Sequence, residues 1–423
     1  MFFLLYKYYL SLKMKKIFNV LLLSFLIFSL NGFTQEIDSL VFKTDRLLEF
    51  GIKNEAYPGA QVLIFKNDTI RLNKTYGFQT YDSLVPIEKH HLYDLASVTK
   101  ILASTLAFMK LYELYNLNLD QKVATYVPSL KRSNKKNSSL REVLSHSGGW
   151  EPYIAHQNLV FNKRGRFKTR TISYIQNKKF PLQISDSLFI HKKYFKKIYR
   201  RIRKTKLNNL GEYRYSGLWF FLLPEITKQL SGSSFSEFLQ TYFYTPLKTE
   251  RLGFLPSKKY SKSEIVPTEN DSIFRKQLVQ GWVHDEAAAM MGGISGNAGL
   301  FSNAASLKPL LQMLLQNGNY NGKQYLKPET IKKFTQRSYP NSNNRRGLGF
   351  DKPSIDPESN YPSLLASPSS YGHSGFTGTF IWVDPTNKCF LIFLSNRVYP
   401  SRNQRKLYSL DIRGKLLDYA IQF

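Results

Sequence analysis

The chain has 423 residues, enough for two or three domains or one large catalytic module. A content of 42% hydrophobic and 15% aromatic residues supports a sizeable core and excludes a disordered, coiled-coil or collagen-like chain. Lys and Arg total 60 against 30 Asp and Glu, for a formal net charge of +30. The one cysteine, Cys389, excludes an internal disulfide framework, a cysteine zinc site and an iron–sulfur cluster.

At the N-terminus Lys13, Lys15 and Lys16 precede an apolar run from Val20 to Leu30, then Asn31-Gly32-Phe33-Thr34-Gln35. This pattern predicts a secretory signal peptide over 1–34, starting functionally at Met14 and cleaved after Thr34. The mature protein is then expected in the periplasm or outside the cell. The run is shorter than the roughly 20 residues a bilayer span needs. An uncleaved anchor, helped by Phe2–Leu12, is the alternative.

Residues 35–423 read as one module. A helical stretch over Ile37–Phe50 leads into the apolar, branched run 59–65. Lys66-Asn67-Asp68 forms a turn and Thr69–Tyr76 a partner strand, which together predict an antiparallel hairpin. Ser97–Tyr115 has helical periodicity, through Ile101, Leu102, Thr105, Leu106, Met109, Leu111 and Leu114. Further helices are expected at Ser139–Ser145, Ser216–Leu230, Ser234–Tyr242 and Ser306–Gln316. Strands are expected at Gly378–Val383 and Phe390–Leu394, and an amphipathic helix from Gln404 to Ile421. The expected fold is α/β (α+β), with an antiparallel sheet from about 37–96 and 290–423 and a helical region over about 97–289.

The segment 161–206 holds 16 Lys/Arg and one acid, Asp186, with Phe, Tyr and Ile interleaved. Such a stretch suits an anionic surface. The plainer reading is a solvated basic face. With a signal peptide upstream, nucleic acid is not an expected partner, and peripheral attraction to an anionic envelope is the alternative to the solvated face.

Three motifs carry candidate chemistry. In Ser97-Val98-Thr99-Lys100 the spacing returns to one helix face, so Ser97 and Lys100 can touch. A serine hydroxyl is a weak nucleophile and needs such an adjacent base. Taken alone, the pair also fits an N-capping serine beside an exposed lysine. In Tyr215-Ser216-Gly217 a tyrosine just before a helix can relay a proton, or merely pack. In Gly372-His373-Ser374-Gly375-Phe376-Thr377-Gly378 small residues let a substrate lie along a strand edge. His373 is expected there as a hydrogen-bond donor. His284 and Asn297 are weaker substrate-binding candidates, and the seven histidines form no metal-ligand spacing.

The order and separation of these motifs resemble the serine β-lactamase and penicillin-binding-protein superfamily, in its class C-like branch. Pro58-Gly59-Ala60 and Leu144-Ser145-His146-Ser147-Gly148-Gly149 fit the same pattern. Pro267-Thr268-Glu269, Gly281-Trp282-Val283-His284-Asp285-Glu286, Gly296–Ser302 and Asn396-Arg397-Val398-Tyr399-Pro400 are similar to the β-lactamase-related domain of Bacteroidetes envelope proteins, which is often fused to a β-N-acetylglucosaminidase. The resemblance covers roughly residues 40–423. It implies a β-lactamase/transpeptidase-like fold and a serine hydrolase without metal or organic cofactor. Ser97, Lys100, Tyr215 and His373 would be catalytic, and the N–H groups of Ser97 and Phe376 would form the oxyanion hole. Gly375, Phe376, Gly217, His284 and Asn297 would face the substrate: an ester, a D-amino-acid peptide or a muropeptide. One position departs. The family usually carries Asn or Asp where this chain has Gly217, and that side chain contacts the substrate amide. The alternative reading is therefore an envelope binding or regulatory protein with weak turnover.

Overall fold

The computed structural model describes residues 1–3, 14 and 37–423. Residues 4–13 and 15–34 of the expected signal segment, with the whole apolar run, lie outside the described residues. The contacts divide the chain into a small unit, 1–47 with Phe423, and a large one, 48–422. In the small unit residues 37–47 are helical. The large unit carries the sheet and the candidate site.

Its frame is a five-stranded antiparallel sheet. The strands are β1 (Gly59–Lys66), β2 (Thr69–Gly77), β3 (Tyr371–Ser374), β4 (Phe380–Asp384) and β5 (Cys389–Ser395), in the spatial order β3-β4-β5-β1-β2. The N-terminal hairpin thus joins a C-terminal meander through the β1–β5 ladder, with Val62 opposite Phe393 and Ile64 opposite Leu391. Both faces of β1 are covered, so its residues read as an apolar run rather than an alternation. Leu63, Phe65, Ile392 and Leu394 enter the main core with Leu307 and Leu311 of the Ala304–Leu315 helix. Val62, Ile64, Leu391 and Phe393 point the other way, and the Ile412–Gln422 helix contacts β1 and β5. Cys389 is buried in β5, where burial pushes its thiol up to about 12.

The hairpin, the 139–145 and 304–315 helices and the late strands lie where the sequence pattern places them, within a few residues. Three differences have local causes. The C-terminal helix breaks into Lys406–Ser409 and Ile412–Gln422, because Asp411 takes φ +49°. The region 97–289 also holds small sheets, one of them Ile172–Ser173, Leu188–Ile190 and Leu182–Ser185. The basic run contains a helix, Tyr194–Lys204, which buries Tyr194, Ile198 and Ile202 at helical spacing.

Candidate active site

The nucleophile turn is built around a buried carboxylate. Tyr93–Asp94 pairs with Leu300–Ser302, and Asp94 accepts the Ala96 N–H at 2.8 Å and the His284 N–H at 2.6 Å. Burial raises the Asp94 pKa, and these two N–H groups oppose the rise. The sharp turn sets Ala96 at φ +45°, a strained conformation for a residue with a Cβ. Ser97 follows on the first turn of a helix that tightens to 3₁₀ over Ala96–Val98, widens to a π-helical stretch over Lys100–Thr105 and runs as α over Leu106–Tyr115. Three residues on, Lys100 returns to the same face. Its Nζ donates to Ser97 Oγ at 2.9 Å and to the Asn297 carbonyl at 2.9 Å. Lys100 is 3% exposed, and among the described residues it makes no ion pair. The Tyr215 and Phe220 rings each lie 5.6 Å from its Nζ.

Tyr215 completes the cluster, its hydroxyl donating to Ser97 Oγ at 3.3 Å. Its segment is laid against residues 146–152. The Arg214 N–H donates to the His146 carbonyl at 2.9 Å, and the Ser216 N–H to His146 Nδ1 at 3.1 Å. The Ser216 hydroxyl donates to the Glu151 carbonyl at 2.7 Å. The His146 ring packs on Tyr215 with centroids 4.6 Å apart. Burial, and then Arg346, hold His146 well below the usual imidazole range, so it is neutral.

Behind this wall lies a charged cluster that sequence reasoning missed. Arg346 is 1% exposed, with its guanidinium carbon 5.8 Å from the Tyr215 ring. It pairs with Asp351 at 3.2 Å. Asp351 also takes two hydrogen bonds from Arg345, at 2.8 and 3.1 Å, and one from the Tyr361 hydroxyl at 2.7 Å. Despite its burial, Asp351 is held below the usual carboxylate range, chiefly by the Arg346 charge and the Arg345 hydrogen bonds. Its backbone bridges Gly372 in both directions, which ties the cluster to β3.

His373 sits on β3 opposite Ile381, with its ring 6.0 Å from that of Tyr215. Its Nδ1 faces the Ser374 carbonyl at 2.8 Å, and only an N–H can occupy that contact. Nε2 therefore carries the lone pair, and it is buried without a partner among the described residues. Burial, then Arg346 and Lys100, lower the His373 pKa to about 3. The sequence reading expects a donor here. The ring offers an acceptor instead, because its one proton is spent on the backbone.

The loop after β3 is clamped onto the nucleophile turn. The Thr377 hydroxyl donates to the Asp94 carbonyl at 2.7 Å, and Thr379 to the Leu95 carbonyl at 3.0 Å. A Cβ on Gly375 would lie 2.0 Å from Thr379 Oγ1 and 2.6 Å from the Leu95 carbonyl, so only glycine fits. Phe376 is 42% exposed, between the His284 ring at 5.7 Å and Arg397 at 4.5 Å.

The remaining candidates are placed as follows. Asn297 meets Lys100 through its backbone, while its side-chain oxygen accepts from Ser295 at 2.7 Å. The His284 imidazole is committed to Glu269 at 2.8 Å, which Arg402 also binds. Gly217 donates its N–H to the Pro152 carbonyl at 3.2 Å, and a Cβ there would meet only that oxygen, at 4.0 Å. The structure thus brings Ser97, Lys100 and Tyr215 into hydrogen-bond contact, with His373 beside them. Ser97 and Tyr215 remain half-exposed, which leaves an approach for substrate.

The Beta-lactamase family pattern matches residues 44–413. A relative from Escherichia coli (strain K12), named "Putative D-alanyl-D-alanine carboxypeptidase", is 30% identical over 81% of this chain and 79% of its own length. Among solved structures, "EstCE1, a hydrolase with promiscuous acyltransferase activity" superposes with a TM-score of 0.65 at 17% identity, covering 91% of this chain and 99% of its own. The octameric penicillin-binding protein homologue from Pyrococcus abyssi superposes at 0.62 and 21% identity, covering 87% of this chain and 76% of its own. The latter two likenesses establish the fold. By the match over most of its length, the chain belongs to the Beta-lactamase family and is a serine hydrolase with the β-lactamase/transpeptidase-like fold.

Proposed function

We propose that the protein is an exported acyl-enzyme hydrolase with Ser97 as nucleophile, cutting the bond after a D-amino acyl group in peptidoglycan-type peptides and accepting simple esters. The observation that carries this reading is the convergence of the Lys100 amine and the Tyr215 hydroxyl on Ser97 Oγ, at 2.9 and 3.3 Å. Ser97 attacks the carbonyl carbon and its proton passes to the Lys100 amine, directly or through Tyr215. The carbonyl oxygen collects negative charge, which the N–H groups of Ser97 and Phe376 meet. One such donor is worth about 3–4 kcal/mol in the barrier. Tyr215 returns the proton to the leaving amine or alcohol. Water then attacks the acyl-Ser97 ester by the same route in reverse, releasing the acid.

The D-peptide substrate is supported by the carboxypeptidase name of the Escherichia coli relative. Export is supported by the basic-then-apolar order of residues 13–30. The test is release of D-Ala from an acylated Lys-D-Ala-D-Ala tripeptide, run beside its all-L counterpart and p-nitrophenyl acetate. The expected result is turnover of the D,D-peptide and the ester but not of the L-peptide. Rates no higher than those of Ser97→Ala on all three would refute the reading. N-terminal sequencing of the exported protein should begin at Gln35.

A further inference from the structure

The Tyr194–Lys204 helix carries more apolar surface than the core uses. Tyr194, Ile198 and Ile202 are buried. One position round the helix, Phe195 and Tyr199 form a second stripe, with rings 5.8 Å apart. This stripe is half-buried and lines an open cavity of about 810 Å³. Pro224, Phe235 and Ile294 supply the facing walls. The volume falls within the usual range for small-molecule sites. None of its lining residues belongs to the Ser97 cluster.

The rim is cationic. Lys196, Arg200 and Arg203 follow at i, i+4 and i+7 on one helix face, and Lys228 joins them from the Leu223–Ser231 helix. Among the described residues none of the four makes an ion pair. One acid, Glu225, lies in the wall, so the lining carries four cations against one carboxylate. Burial raises the Glu225 pKa, which weakens even that opposition. The positive field continues beyond the rim. Lys168, Arg200 and Arg201 act on Lys197, and Lys179, Lys192, Lys193 and Lys197 act on His191. Nearby in sequence, Tyr174 and Ile175 are 68% and 74% exposed.

We propose that this face docks on an anionic phospholipid membrane, with lipid phosphates on the basic field and one acyl chain in the cavity beneath Phe195 and Tyr199. An apolar cavity alone would suit any hydrophobe, and basic residues alone would suit any anion. An excess of cations around an apolar cavity matches a molecule with both parts. The reach of the field well past the rim favours an extended anionic surface over one soluble anion.

The test is co-flotation of the protein with vesicles of phosphatidylcholine alone, or with a third phosphatidylglycerol. Binding should occur only to the anionic vesicles and should weaken as salt shortens the screening length. Lys196→Gln/Arg200→Gln/Lys228→Gln should weaken it about 100-fold, at about 1 kcal/mol for each basic residue removed. Ser236→Trp, which fills the cavity, should weaken binding with ester hydrolysis unchanged. Ser129→Trp at the exposed rim serves the same purpose if that variant does not fold. Equal binding to both vesicles, no binding, or full binding by the triple Gln variant would overturn the proposal. So would full binding by the folded Trp variant, which removes the acyl chain from the cavity. Saturable binding of dodecanoate with no vesicle binding would overturn the membrane as the source. Failure of these tests leaves the Ser97 chemistry untouched.

Discussion

Gly217 is where this chain leaves its family pattern, and replacing it tests what the change does. Gly217→Asn should fit. The position has no left-handed backbone, and an added Cβ meets only the Pro152 carbonyl at 4.0 Å. The backbone bond to Pro152, at 3.2 Å, is kept. The segment just precedes the helical turn Trp219–Leu222, where asparagine is acceptable. Replacing a glycine without strain also removes freedom from the unfolded chain, worth about 0.4–1 kcal/mol of stability. The new side chain gains one neutral hydrogen bond to a substrate acylamino carbonyl, worth about 0.5–1.5 kcal/mol, or roughly 2- to 12-fold in acylation. The assay is the acylation rate with a fluorescent penicillin beside an acetyl ester, together with a urea melt. A gain confined to the lactam, with stability held or raised, is expected. Equal changes on both substrates, or a loss of stability, would mean that Gly217 serves the backbone and that the open space is not a substrate position.

Asp351→Asn should cost about 3–5 kcal/mol in urea unfolding, because it leaves buried Arg346 and half-buried Arg345 without their counter-charge; a loss under about 1 kcal/mol would mean the cluster is not held by charge. His373 has a native pKa of about 3 and His156 of about 4, against an ordinary 6.5. Each then binds its proton in the unfolded chain before the native one, so stability should fall as pH drops from about 6.5, at about 1.4 kcal/mol per pH unit for each group. His373→Asn should shrink the loss between pH 7 and pH 5 by about 2 kcal/mol, and an unchanged slope would mean that the native ring titrates normally. Tyr215→Phe should lower kcat on the D,D-peptide by roughly 10²- to 10⁴-fold with KM little changed; wild-type turnover would move the proton relay to Lys100 alone.

Where local pattern decided structure, the sequence was readable. The β1–β2 hairpin followed from two branched runs around Lys66-Asn67-Asp68, and the Ser97–Lys100 contact from three-residue spacing on a helix. The Tyr194–Lys204 helix was readable too, since Tyr194, Ile198 and Ile202 recur at helical period, but the surrounding lysines drew the reading toward composition. The Pro328–Thr335 helix also carried its start signal, proline in its first turn followed by Glu329. The Arg346–Asp351 cluster had no such signal, although His146, which Arg346 meets, lies in the Leu144–Gly149 stretch that fits the family pattern. Arg346 and His146 are 200 residues apart and meet only in the folded chain. The acceptor face of His373 was equally hidden, because it depends on a backbone carbonyl turned toward Nδ1.

The central claim is that Ser97, activated by Lys100 and Tyr215, becomes acylated. A fluorophosphonate probe followed by intact-mass and peptide mass spectrometry tests this directly. The account predicts one adduct per chain, on the peptide containing Ser97, absent in Ser97→Ala and formed far more slowly in Lys100→Ala. An unlabelled wild-type protein, an adduct on another residue, or equal labelling of Ser97→Ala would contradict it.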